Sequence, residues 1–291
     1  MSFLNTIGRS MGRNGRQRRR DGLGFEQDPQ GSLAESMNGT HLATPKPLYL
    51  CQPFVRSALI KGSFRTIVAL PKYVHPYEWI AMNLFDFFND LNQFCGVLNE
   101  SCTVSKCPTM SAGVGLHYTW VDVHRKQTHL AAPQYIDFVM TWIGHLLNDE
   151  AVFPTKSGRE FPESFPTTAR HIYRQMLRIF AHIYHAHFAL LLHISCEGHV
   201  NSLLAHYIAF GKEFNLFDFR DFKGNGNPAI GAPACMGGIG GPEHPAVETA
   251  EVCDTQAALV GANGERQPYP GLCDLLERWV ENGVLPKEIL L

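Results

Sequence analysis

Cys102 and Cys107 bracket four residues in Cys-Thr-Val-Ser-Lys-Cys, and well down the chain residues 181–188 read Ala-His-Ile-Tyr-His-Ala-His-Phe. Two thiols in one short loop, with two of His182, His185 and His187, make the four-ligand set that zinc prefers. One ion joining them would pin a loop to a helix and leave no position open for chemistry, which makes it a staple and not a reaction centre. Cys-x4-Cys alone is only suggestive, because tight zinc knuckles use two intervening residues. On an ideal helical wheel His182 and His185 share a face, whereas His182 and His187 fall about 140° apart. Spacing by itself therefore favours the first pair. The bland alternative is a set of ordinary buried and surface histidines beside two free thiols.

Other residues have chemistry to offer. Arg170, Arg174 and Arg178 recur at four-residue steps, and a stripe of guanidinium groups can hold a phosphate through paired donors. The commoner use of such a stripe is a solvated helix face. Catalytic signatures are missing: there is no His-Glu-x-x-His, no Gly-x4-Gly-Lys, no Gly-x-Ser-x-Gly and no protein-kinase set. Asp137 and Glu150 are scattered carboxylates without an evident partner. A hydrolytic zinc needs an open coordination position and a nearby base, and a two-thiol, two-histidine set fills all four positions. The expectation is that the chain is not an enzyme.

The elements that must position these groups follow from periodicity. The 291 residues are 45% hydrophobic with a net charge of −2, enough for one sizeable core and with no charge bias toward nucleic acid or a membrane. No apolar run is long enough to span a bilayer, and the first residues lack a long apolar signal core. An intracellular chain is expected, whose eight cysteines serve as thiols or ligands and not as a disulfide frame. Residues 1–45 are polar, with arginines at 9, 13, 16, 18, 19 and 20, and are expected to be a disordered tail. Such a tail is also the basis of an alternative reading as a zinc-stabilised nucleic-acid-binding protein.

Leu48 to Leu50 and Thr66 to Leu70 read as short extended stretches of an arm. Pro76 can open a helix in which Ile80, Leu84, Phe87, Phe88, Leu91, Phe94 and Cys95 fall on one arc. Opposite lie Glu78, Asp86, Asn89 and Gln93, with Trp79 and Asp90 on the flank, an acidic face suited to a basic partner. A small hairpin is expected around a turn at 122–126, a second helix over 134–148, and a third from Thr167 or Thr168 to about Leu192. A fourth runs from about Gly198 to Phe210. Residues 224–270 are rich in Gly, Ala and Pro and read as an insertion, and 272–280 as a short closing helix. The sum is a mainly α bundle with a small β-hairpin.

The stretch from Phe54 to Asp218 resembles the Mob (phocein) family of kinase coactivators. The matching landmarks are Leu70-Pro-Lys, Glu78-Trp-Ile-Ala, Asp86-Phe-Phe, Cys102-x4-Cys107-Pro, Met110-Ser-Ala-Gly, Ala132-Pro-Gln-Tyr-Ile-Asp and Phe153-Pro-Thr-Lys. They continue through the histidine helix to Lys212-Glu-Phe-Asn-Leu, and the arm from Pro53 to Phe64 is similar to the fungal "Mob two" branch. The resemblance implies a Mob domain over 46–223 with an N-terminal arm and a four-helix-bundle core, and a C-terminal helix at 271–291 packing on it. It also implies one structural Zn2+ held by Cys102, Cys107, His182 and His187, with His185 left free. It further implies a non-catalytic subunit that binds the basic N-terminal region of an NDR/LATS-type Ser/Thr kinase and favours the active kinase in polarity and morphogenesis signalling. Glu78, Trp79, Asp86 and Asp90 are the docking candidates. One acidic position of the better-known branch is Val74 here. That branch also holds a phosphorylated peptide with three basic residues, of which Arg174 and Arg178 match two while Gln175 takes the third, which weakens an anion site. A chain of this kind is expected as one copy in a heterodimer with its kinase, without membrane insertion or nucleic acid, in the cytoplasm, at the cortex and in the nucleus.

Overall fold

A computed structural model describes residues 46–58, 60, 62–113, 116–121, 127–156, 158–217, 259–260, 266–267 and 271–290. The expected tail at 1–45 and most of the 224–270 insertion lie outside these residues. What is described between 46 and 290 is mainly helical, in the order α1 (Phe64–Val68), α2 (Pro76–Leu98), α3 (Ala132–Leu147), α4 (Phe165–His182), α5 (Phe188–His193), α6 (Glu197–Glu213) and α7 (Leu272–Glu281).

Local chemistry fixes where the helices begin. Pro76 opens α2, His75 Nδ1 accepts the Tyr77 amide at 3.2 Å, and Glu78 sits in the first turn, where a carboxylate suits the helix dipole. Pro133 and Pro166 occupy the first turns of α3 and α4, where a missing N–H costs nothing. α2 packs against α3, α4 and α6, and α3 against α4, around Leu84, Phe87, Leu91, Tyr135, Ile143, Ile172, Tyr173 and Tyr207, all buried. This mainly helical architecture is the one expected.

The arm departs from expectation. Leu48–Leu50 and Phe54–Arg56 are short 3-10 helices, and residues 64–68 form α1 in place of an extended stretch. Phe64 and Val68 are one helical turn apart and both buried, and α1 lies on α6, so burial of an i, i+4 pair overrides the β propensity of Ile67 and Val68. Between α2 and α3 stand two hairpins. The expected one pairs β3 (Trp120–Val121) with β4 (Gln127–Thr128). The other, not anticipated from the sequence, pairs β1 (Met110–Gly113) with β2 (Leu116–Tyr118). Within the insertion, β5 (Leu259–Val260) pairs with β6 (Arg266–Gln267). The third helix is not uniform either: Ile183–His187 is a π-turn between α4 and α5.

Candidate functional site: a buried Cys2His2 cluster and the outer face of α2

Cys102 lies four residues past the end of α2, its amide donating to the Leu98 carbonyl at 2.8 Å. Cys107 closes the same loop through a 2.8 Å bond from its amide to Thr103, and its own carbonyl accepts the first amide of α3, from Ala132, at 3.0 Å. The loop is thus tied at both ends to helices. Facing it are His182, the last residue of α4, and His187, the last residue of the π-turn.

The π-turn resolves the wheel conflict. Its hydrogen bonds run from residue i to i+5, so a residue five positions on returns to nearly the same face. His182 and His187 therefore meet, with ring centroids 5.1 Å apart, while His185 turns out to solvent. The pair that a regular helix would select is not the pair this helix presents.

Cys102 Sγ lies 3.5 Å from His182 Nε2, and Cys107 Sγ 3.6 Å from His187 Nε2. The four ligand atoms all lie within 4.8 Å of one another and all four residues are buried. A tetrahedral ion about 2.3 Å from sulfur and 2.0–2.1 Å from nitrogen requires sulfur–nitrogen edges of about 3.6 Å, which these two sulfur–nitrogen distances match. The Ser111 carbonyl on β1 lies 2.7 Å from His182 Nδ1 and accepts its proton, which leaves the Nε2 lone pair aimed at the cluster. The unexpected hairpin thus orients a ligand.

Electrostatics agree. Burial, reinforced by the neighbouring His182, pulls His187 down to about 4, so its ring is neutral at pH 7 and available as a donor. Burial also lowers His182. Burial and the adjacent Cys107 push the Cys102 thiol up to about 12. A bound cation reverses that last effect, because a coordinated thiol ionises. With four protein ligands the set leaves no position for a substrate, so the chemistry it can supply is structural.

The second feature is α2. Its inner face is core, and its outer face carries Glu78 and Asp86 in solvent beside two apolar side chains that periodicity did not single out, Met82 (59% exposed) and Phe85 (52%). Both stand on the polar arc, and that placement was the available signal. Leu70 and the fully exposed Tyr73 precede the helix. The other two docking candidates are less open to solvent than Glu78 and Asp86. Asp90 is 4% exposed and lies on the core side, sharing a helix face with the buried Phe87 three residues before and Phe94 four residues after. Trp79 is a strut more than an open anchor: its indole N–H donates to the Val68 carbonyl at 3.3 Å and its ring tilts on Phe210.

The arginine stripe is drawn apart. Arg170 Nε donates to the Asn215 carbonyl at 3.0 Å. Arg178 turns into the α3–α4 seam, donating to Tyr135 Oη at 2.9 Å and lying over the Tyr118 ring, while Arg174 stays on the exposed side of α4. Gln175 is buried and accepts from Tyr135 Oη at 3.1 Å. The position that departs from the basic triad is part of an internal polar network.

No helix among the described residues is long and apolar enough to cross a membrane. The Mob1/phocein family model matches residues 56–224. The chain is 47% identical over 228 residues to the maintenance of ploidy protein mob2 of Schizosaccharomyces pombe, an alignment covering 76% of this chain and 93% of that one. It is 50% identical over 192 residues to the CBK1 kinase activator protein MOB2 of Candida albicans, covering 66% of this chain and 61% of the other. The Saccharomyces cerevisiae protein of the same name is 51% identical over 174 residues, covering 60% and 61%. With the matched region spanning the bundle, the Cys2His2 cluster and the outer face of α2, the chain belongs to the Mob1/phocein family.

Proposed function

We propose that this protein is a non-catalytic coactivator that docks the basic N-terminal region of an NDR/LATS-type Ser/Thr kinase on the outer face of α2 and favours the kinase's active state. The observation that carries the reading is the exposed pairing of Met82 and Phe85 with Glu78 and Asp86 on a helix whose other side is buried. Solvent-facing apolar groups rimmed by carboxylates suit an amphipathic helix that carries arginine or lysine beside its own apolar residues. Kinase activation follows if the bound segment is ordered on this face and the ordered form is the active one. The names of the Candida and Saccharomyces relatives, both CBK1 kinase activators, support the reading. Glu78 and Asp86 are the charged contacts, Met82 and Phe85 the apolar ones, and Trp79 shapes the face from beneath. The cluster of Cys102, Cys107, His182 and His187 holds Zn2+ as a structural ion, the choice of metal following from two thiols and two imidazoles gathered within 4.8 Å of one another. A setting in polarity and morphogenesis signalling, in the cytoplasm and at cortical sites of growth, with access to the nucleus, belongs to the same proposal.

The test is calorimetric titration of the full chain with the basic N-terminal segment of an NDR-type kinase from the same organism, at two salt concentrations, with zinc measured on the same sample. One-to-one binding that weakens with salt is expected, together with one zinc per chain. A folded, metal-loaded chain that does not bind the segment overturns the docking reading.

A further inference from the structure

The arm that leads into the family match packs on the turn that carries the histidines, and α7, beyond the match, packs on the arm. Tyr184 sits inside the π-turn, two residues after His182 and three before His187. Its hydroxyl donates to Asn201 Oδ1 on α6 at 2.7 Å. Asn201 Nδ2 donates in turn to the arm carbonyls of Phe54 at 2.9 Å and Ser57 at 2.7 Å. From the other side, Trp279 of α7, itself buried, donates its indole N–H to the Val55 carbonyl at 2.9 Å. Arg56 reaches Asn282 Oδ1 through Nε and Nη2 at 2.9 and 2.6 Å. Tyr49 of the arm presses edge-on against both Tyr184 and Phe188, at 5.7 and 5.8 Å between centroids. A π-turn is rare in isolation and persists where its surroundings determine it.

We propose that the arm at 46–57 and α7 form a clamp that holds the π-turn in register, so that clamp closure and metal occupancy of the Cys2His2 cluster strengthen each other by the same factor. Tyr184, Asn201 and Trp279 are positioning residues: none touches the ligand atoms, and each acts through the turn. The reciprocity follows from linkage, because a clamp that favours the metal-binding register must itself be favoured by the metal. The inference rests on the cluster binding a metal ion, and it extends that reading through Tyr184 and Asn201 to Val55 and Trp279, which lie outside the matched region.

The full chain is tested with Zn2+ and with Co2+ as a spectroscopic probe. Tyr184→Phe removes one hydroxyl and Trp279→Phe one N–H, both with the ring kept. Leu84→Ala, a buried α2 residue outside the network, controls for general destabilisation. Each of the two conservative variants is expected to speed metal loss to a chelator by about tenfold, the lower end of the effect of outer-sphere partners on metal sites. Removing the metal is expected to speed amide exchange at Val55, Arg56 and Ser57 more than at α2 amides such as Phe87. Metal loss that only tracks global stability, as in Leu84→Ala, overturns the clamp, as does exchange that rises equally in the arm and in α2. A wild-type chain that takes up no metal overturns the metal reading and the linkage with it, whereas stoichiometric metal with unlinked loss rates overturns the linkage alone.

Discussion

At the Cys102–His187 cluster the ligand atoms face one another inside the core, whereas along α2 Glu78, Met82, Phe85 and Asp86 face water. Both features carry polar groups on long helices of one bundle, yet the first is closed and the second open. In the first, loop ends, a hairpin carbonyl and a π-turn converge so that four donors gather within 4.8 Å of one another. In the second, apolar side chains stay exposed that could have been polar without harm to the core. On the proposed function, the closed polar cluster serves the fold and the open mixed face serves another molecule.

The largest effect expected is on the closed side. Cys102→Ala, or stripping the metal with a chelator, removes a buried link between loop and helix, and structural zinc sites contribute folding energy outright. A loss of at least about 4 kcal/mol is expected, which for a domain of this size lowers Tm by roughly 8–16 °C. An unchanged Tm in thermal unfolding removes the cluster's claim to be a staple. Next comes the open side: Glu78→Lys with Asp86→Lys reverses two exposed charges and should weaken docking of a basic segment about a hundredfold, or about 2.7 kcal/mol. Tm should move little, since neither side chain is buried. Retained affinity in calorimetry would place the partner elsewhere.

Smaller effects sharpen the picture. Met82→Ala with Phe85→Ala should cost about tenfold in affinity while leaving the salt slope intact, because apolar contacts are not screened. A changed slope would mean that the two residues act through the neighbouring carboxylates. The smallest effect is on pH dependence. Partial burial lifts the Asp86 carboxyl above the usual aspartate range. A cationic partner favours the ionised form, so lowering the pH through that raised pKa removes the favoured charge and weakens binding by about two- to threefold. Asp86→Asn should flatten this dependence, and an equally steep profile in the variant would assign it to another group.

Much of the bundle was legible because burial repeats every 3.6 residues: α2, α3, α6 and α7 lie within a few residues of where the apolar arcs put them. The two thiols and the histidine cluster were also legible as a ligand set. The choice of His187 over His185 was not, because it depends on a change of helical pitch that leaves no mark in residue types. The burial of Asp90 was not legible for a related reason: a wheel gives an angle, but whether a flanking position is covered depends on what packs there. Leu48 to Leu50 and Thr66 to Leu70 looked extended because β-branched and aromatic residues favour strands, while the chain instead turns helical over Leu48–Leu50 and Phe64–Val68. The β1–β2 hairpin went unread in a short stretch where burial alternates over only four residues.

The π-turn also acts as a phase shifter. Each residue advances a regular helix by about 100°, so one residue more than the α pattern needs would rotate everything downstream by that angle. Confining the surplus to 183–187 lets α4 keep its phase against α2 and α3 while Phe188 and Leu191 of α5 still reach the core. Deleting Ala186 would turn His-x4-His into His-x3-His, a spacing that a regular helix can also present on one face, so the ligands would survive. What would be lost is the alignment of α5 and the segments packed on it. The length of this helix is therefore encoded as strictly as its composition, and the ligand pair is the part of it that tolerates the change best.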